Sequence, residues 1–245
     1  MRPLRQLRVV VSALEENIAR EAHRADVLVD VTADAFGLGV DRVAAAARAA
    51  GVPRLFVATM DGALATRRLV PDLEIVVGRA TADRGAELDE ARISVDPAGG
   101  RRIVRDEVYG FDGRSRVTAS LRTEVLSTKH IRAGDGVSYG YTYRASRDEC
   151  TALVALGYGD GVHRHAGNVS TVSIDGSVAP IVGRVAMNVF VVSLGDRLVR
   201  PGAPVVLFGD PDDGDPALAD WSRALGVQPA AVVAGIGNRV ERVES

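Results

Sequence analysis

The chain has 245 residues, 47% hydrophobic and 25% charged, with a formal net charge of −2. That balance fits one large or two ordinary globular domains and gives no electrostatic reason to expect nucleic acid or an anionic membrane as partner. The single cysteine, Cys150, excludes an intrachain disulfide and offers no metal-ligand spacing, and no apolar run reaches the ~18 residues of a membrane helix, so a cytoplasmic protein is expected.

Met1–Arg8 carries three arginines, but no small-residue cleavage site follows Val9–Val11. Leu7–Val11 reads as a β-strand. Ala13–Arg24 has helical periodicity at Leu14, Ile18 and Ala22, with Ser12 as a candidate N-cap. Val27–Thr32 is a strand interrupted by Asp30, and Val40–Ala50 is an alanine-rich helix stopped by Gly51. Leu55–Thr59, Asp61–Leu69 and Leu73–Val77 continue as strand, helix and strand. This alternation predicts βα units on a parallel sheet, with room for about three of them. A domain boundary is expected within residues 96–116, where Asp96-Pro97-Ala98-Gly99-Gly100 and Gly110–Gly113 are flexible in composition, giving domains 1–112 and 113–245.

The pattern then becomes strands separated by Gly, Asp and Pro turns: Val117–Ile131, Val137–Tyr143, Thr151–Leu156, Thr171–Ile174, Val178–Val182, Met187–Ser193, Pro204–Phe208 and Arg239–Val243. This half predicts a mostly antiparallel β domain. Asp210–Asp215 reads as an acidic surface loop, and Asp215–Leu225 as a helix ended by Gly226.

Among 30 basic residues the only lysine is Lys129, so one side-chain amine is available for covalent chemistry. On its own, Lys129 reads as a solvated strand residue. Tyr158 reads as a tyrosine in a Gly-rich turn, Asp160 as a turn cap, and Met187 equally as a strand methionine facing the core. His163 and His165 lack carboxylate or thiolate neighbours that would make a metal site, so no metal is expected.

Gly157-Tyr158-Gly159-Asp160-Gly161, followed by Pro180-Ile181-Val182-Gly183-Arg184-Val185-Ala186-Met187-Asn188, resembles the C-terminal domain of alanine racemases, with its G-Y-A-D-G and P-I-V-G-R-x-C-M-D segments. Gly134–Tyr143 resembles that family's G-x-x-V-x-Y-G-x-T-Y stretch, and Asn238–Arg242 its closing R-V-P-R. Nearer the N-terminus, Asn17-Ile18 and Val31-Thr32-Ala33-Asp34-Ala35-Phe36-Gly37-Leu38-Gly39 resemble N-I and V-K-A-D-A-Y-G-H-G. The resemblance implies an incomplete (β/α) barrel remnant followed by an antiparallel β domain. It also implies a site built for pyridoxal phosphate (PLP), in which a lysine captures the coenzyme and serves one face of the substrate. The tyrosine at Tyr158 would serve the other face across a head-to-tail dimer, and Met187 would help position the substrate carboxylate.

The cofactor side of the resemblance is altered. Thr32 stands at the lysine position and cannot form an imine. Phe36 replaces a tyrosine that would meet the phosphate, Leu38 a histidine, and Asn238 a second phosphate-holding tyrosine. Tyr109-Gly110 matches the end of another PLP-site segment, but Ile103 falls where its arginine would be; Arg102 or Arg105 fits only after a register shift. What is expected is a degenerate racemase-like pseudoenzyme, without covalent PLP, acting through dimerisation or a small ligand such as an amino acid. The alternative is an alanine racemase active with a partner chain or in an unusual cofactor mode; a sensor that uses the old substrate cleft is a third reading. A barrel cut to three βα units leaves open edges, so a homo-oligomer or a complex with a full-length racemase is expected.

Overall fold

A computed structural model of the chain describes residues 4–78, 84–95 and 101–245. The chain divides into two compact units: residues up to Val9 together with Ala119–Glu244, and Val10–Thr118. Asp96–Gly100, half of the expected linker, lies outside the described residues.

The first strand, β1 (Gln6–Val9), is the first departure from expectation. It does not open the βα series but joins the β-rich unit, parallel to the last strand of the chain. Alternation and burial define a strand without saying which sheet it enters. Helix α1 (Val11–Ala22) begins at N-cap Val10, so Ser12 falls in its first turn; its buried face carries Ala13, Leu14, Asn17 and Ile18. The α/β unit continues with β2 (Val27–Asp30), the turn α2 (Thr32–Phe36), α3 (Val40–Ala49), β3 (Arg54–Val57), α4 (Met60–Leu69), β4 (Glu74–Val77), α5 (Gly85–Glu90), β5 (Ile93–Val95), β6 (Arg102–Val104) and α6 (Asp106–Tyr109). Its five strands are parallel, in the order β5-β4-β3-β2-β6. The expectation of about three βα units therefore missed β5 and β6, each three residues long and too short to show a period. The unit's buried strands, Val27–Asp30 and Glu74–Val77, carry the near-continuous apolar runs of a sheet covered on both faces.

The second unit is built on β7 (Ala119–Ile131), a 13-residue strand long enough to serve several neighbours. It is followed by β8 (Gly136–Val137), β9 (Tyr143–Arg144), β10 (Glu149–Val154), β11 (Thr171–Ile174), β12 (Ser177–Val182), β13 (Phe190–Gly195), β14 (Pro204–Phe208), α7 (Leu218–Leu225), α8 (Pro229–Ala234) and β15 (Glu241–Glu244). The sheet order β10-β13-β12-β11-β14-β7-β1-β15 closes on itself, because β10 also pairs with the second half of β7. The resulting ring of six strands is antiparallel throughout, as predicted, with β1 and β15 appended beside Ala119–Arg122. Two expected strands differ in detail. Val137–Tyr143 is broken by a 3-10 turn at Tyr139–Tyr141. Met187 lies outside β13, which starts only at Phe190.

Candidate functional site

In the α/β unit the predicted positions cluster where β2 ends. Thr32 follows Asp30 and Val31. Its hydroxyl donates to Asp30 Oδ1 at 2.5 Å, its amide donates to the same oxygen at 3.0 Å, and the hydroxyl oxygen accepts from the Ala58 amide at 3.1 Å. Thr32 thus ties the end of β2 to the residue after β3. The chain then turns left-handed: Ala33, Asp34, Ala35 and Phe36 have φ values of 54°, 55°, 53° and 56°. Four such residues in succession are sterically costly for L-amino acids, at about 1–2 kcal/mol each. Local bonds hold the turn: Asp34 Oδ1 accepts from the Val40 amide at 2.9 Å, and Asp34 O accepts from the Gly37 and Gly39 amides at 3.0 Å each.

Phe36 is buried at the end of this turn. Its ring meets Tyr109 edge-on at 5.1 Å and Phe111 at 5.9 Å, while Tyr109 stacks on Phe111 at 5.3 Å. The Tyr109 hydroxyl donates to Asp30 O at 2.7 Å. Burial, reinforced by the charges of Asp30 and Asp34, pushes the Tyr109 phenol well above its usual range. Phe36 and Tyr109 are therefore brought together, as an apolar cluster whose one hydroxyl is already engaged. Arg105, just past β6, is at the same end of the sheet; the hydrogen bond it donates to Asp106, and then the charges of Asp106, Asp30 and Glu107, raise its pKa. Arg102 starts β6 at the opposite end and binds Glu21 and Glu107. Ile103 sits between them with its side chain exposed.

In the β-rich unit, Tyr158 opens a tight turn, Tyr158–Asp160. The Tyr158 and Gly159 amides donate to Ala186 O at 3.0 Å and Met187 O at 2.8 Å, which clamps the Tyr158 and Met187 segments together. Glycine is required at Gly157, where a Cβ would lie 2.3 Å from Met187 O, and Gly159 is tight as well, since a Cβ there would lie 3.0 Å from the same oxygen. Asp160 is fully buried. Its Oδ2 accepts from the Gly157 amide at 2.9 Å and faces Arg5 Nε at 3.5 Å, and its Oδ1 faces Arg239 Nε at 3.2 Å. Arg239 also donates to Asn188 Oδ1 at 2.8 Å, and Gly237 N to Asp160 O at 3.0 Å. One carboxylate therefore gathers the Tyr158 turn, the Met187 segment and the loop bearing Asn238. Tyr158 and Met187 remain 41% and 52% exposed, Asn238 is exposed, and Arg164 lies over the Tyr158 ring at 5.6 Å. The core-facing alternative for Met187 does not hold.

Lys129 is an exposed residue of β7, opposite Thr151, whose hydroxyl donates to Lys129 O at 3.1 Å. His163 and His165 stack edge to face at 5.5 Å, and among the described residues no group of three or more His, Cys, Asp or Glu side chains converges as a metal site. Nor, among those residues, is any helix long and apolar enough to cross a membrane. Reading the sequence missed Asp30, Arg5 and Arg239 as organising charges. Asp30 had a signal, a carboxylate inside an apolar strand two residues before Thr32; Arg5 had none, since its partner lies 155 residues away.

Comparison with known proteins follows the same division. Residues 118–244 match the family model "Alanine racemase, C-terminal domain", and residues 9–96 match "Alanine racemase, N-terminal domain". An alanine racemase of Mycolicibacterium vanbaalenii is 34% identical over 271 residues, covering 96% of this chain and 70% of that protein. One of Thermobifida fusca is 44% identical over 128 residues, covering 52% of this chain and 34% of the relative, so the match spans about a third of that relative's length. The solved alanine racemase of Streptomyces coelicolor A3(2) superposes with a TM-score of 0.89 at 24% identity, over 98% of this chain and 97% of that one.

Proposed function

The chain belongs to the alanine racemase family, and from that premise we propose that it is a non-catalytic member, acting by assembly with another chain or by binding a small ligand such as an amino acid. The observation that carries this reading is the end of β2. The family is PLP-dependent, and covalent capture of PLP needs a primary amine. Thr32 offers a hydroxyl already held by Asp30 and the Ala58 amide. The chain's one lysine, Lys129, is an exposed strand residue of the other unit. Phe36 and Tyr109, at positions that would meet the coenzyme, are closed into an aromatic cluster, and Asn238 has no phenol to offer a phosphate. The residues present do not fit covalently bound PLP, and no catalytic step is assigned through it. A cytoplasmic setting is part of the proposal.

The test is direct. The purified chain is mixed with PLP, the visible absorption of an imine is sought, and borohydride-treated protein is searched by peptide mass for a modified Lys129. D/L-alanine exchange is then assayed. No imine and no exchange are expected; robust exchange by the isolated chain overturns the reading.

One observation favours a second reading. The turn bearing Tyr158 and Met187 is rigidly built around Asp160 yet leaves both side chains exposed. Such a surface suits completion of a partner's site, in which a full-length racemase supplies lysine and PLP. Exchange rates measured with and without that racemase, beside light scattering of the mixture, distinguish the two readings. A rate above that of the racemase alone, together with a mixed complex, supports the second.

A further inference from the structure

The β-rich unit encloses an apolar cavity of about 200 Å³ that the family's chemistry does not account for. It is lined by Leu121 of β7, Leu207 and Phe208 of β14, Trp221 of α7 and Ile236. The rings of Phe208 and Trp221 meet edge to face at 6.4 Å. Half-buried Leu225, Val227 and Val232 and the exposed His163 form the mouth.

Water is a poor occupant, because a buried water needs two to four polar partners. Apart from the His163 imidazole, the donors of the lining are engaged: Trp221 Nε1 donates to Thr171 O at 3.0 Å, and the amides of Gly161, Val162, Gly235 and Ile236 donate to backbone carbonyls. Left empty, the walls lose dispersion contacts over a space large enough for a ring. His163 is the lining side chain left to offer a hydrogen bond, and it is exposed. We propose that this cavity is a binding site for a small aromatic molecule carrying one hydrogen-bonding group, the ring lying between Leu207 and Trp221 and the polar group meeting His163.

Occupancy reaches the Tyr158 turn from two sides. Gly161 and Val162 line the cavity, and their amides donate to Tyr158 O and Gly157 O at 3.2 Å each. Ile236 lines it too, and the next residue, Gly237, donates to Asp160 O. A guest therefore biases the same turn that presents Tyr158.

Trp221 is the chain's only tryptophan, so its indole N–H gives a single signal in a ¹H–¹⁵N spectrum. With 4-fluorophenol as probe, a saturable shift of that signal is expected, with accompanying shifts in the Tyr158–Gly161 amides. Intermolecular NOEs to the Leu207 and Ile236 methyls are also expected. Val232→Phe or Leu225→Phe fills the mouth and should weaken binding at least tenfold in whichever variant keeps the native amide spectrum. A missing or non-saturable Trp221 shift, absent NOEs in the unmodified protein, or full affinity in a folded blocked variant overturns the proposal. So does cyclohexanol binding as tightly as 4-fluorophenol, since the site would then not select an aromatic ring.

Discussion

Thr32 is the residue on which the functional reading turns, and its hydroxyl has structural work of its own. It donates to a nearly buried carboxylate and accepts from a neighbouring strand end. Thr32→Val keeps the shape but removes both bonds; a hydrogen bond to a charged group contributes about 1.5–3 kcal/mol, so a loss of that order is expected in urea denaturation. Thr32→Lys tests the chemistry separately. The new ammonium would sit beside Asp30 and pair with it, while Phe36, Tyr109 and Phe111 still fill the adjoining space, so no imine absorption is expected on adding PLP. Appearance of that band would show that one side chain alone bars the cofactor. Tyr109 supplies a pH signature. Its folded-state pKa is raised, so the neutral phenol is the form that the fold favours. The resulting stability is present below the unfolded tyrosine pKa of about 10 and falls as pH rises beyond it toward the folded value, because the unfolded chain gives up the proton first. Tyr109→Phe should flatten that alkaline decline in chemical denaturation run from pH 8 upward. It should also cost about 1–3 kcal/mol at neutral pH by leaving Asp30 O without its partner.

At the scale of elements, the Tyr158–Asp160 turn holds three chain segments through one fully buried carboxylate between two arginines. Asp160→Ala leaves the Gly157 amide without its acceptor and Arg5 and Arg239 without their shared partner, and should destabilise the β-rich unit by about 1–3 kcal/mol, measured by thermal unfolding. In any molecules that remain folded, the Tyr158 and Met187 amides should lose protection from hydrogen exchange first. This turn was legible because its glycines, and the resemblance of Gly157–Gly161 to a segment of the family, mark it. The left-handed turn at Ala33–Phe36 was not, since alanine and phenylalanine carry no preference for positive φ and the one aspartate, which tolerates it, does not mark a run of four; the turn is held by the Asp34 bonds and the buried Phe36. Helix α8 escaped notice for a similar reason, being six residues long and opened by Pro229 with no side-chain cap. The strand expected at Leu7–Val11 forms at Gln6–Val9 but enters the other sheet, because its partners, such as Leu121 and Arg242 for Leu7, are more than 110 residues away. Local pattern reports the conformation of a segment, and only its distant partners decide the layer it enters.

The two units face the problem of strand edges differently. In the β-rich unit, the bond between β10 and β7 closes six strands into a ring, which removes their free edges. The parallel sheet of the α/β unit does not close: among the described residues β5 and β6 each pair on one side only. Parallel strands are ordinarily covered on both faces and flanked, and an uncovered edge is a template for another chain. The β6 edge carries an apolar side chain in the open, Ile103 at 46% exposure, between Arg102 and the buried Val104. Association through that edge is therefore expected, either with a second copy or with a full-length racemase. Light scattering across a dilution series should show a dimer that dissociates as concentration falls. Ile103→Lys places a charge in the middle of the edge and should shift the midpoint of that dissociation at least tenfold toward higher concentration, with unchanged thermal stability of the monomer. A chain that stays monomeric at every concentration, both alone and with a full-length racemase, would mean that the edge is guarded from within. Arg101 and Arg102, which precede Ile103 and pair with Glu74 and Glu21, would then be the guards, since inward-paired charge is the other way to keep an open strand from recruiting a neighbour.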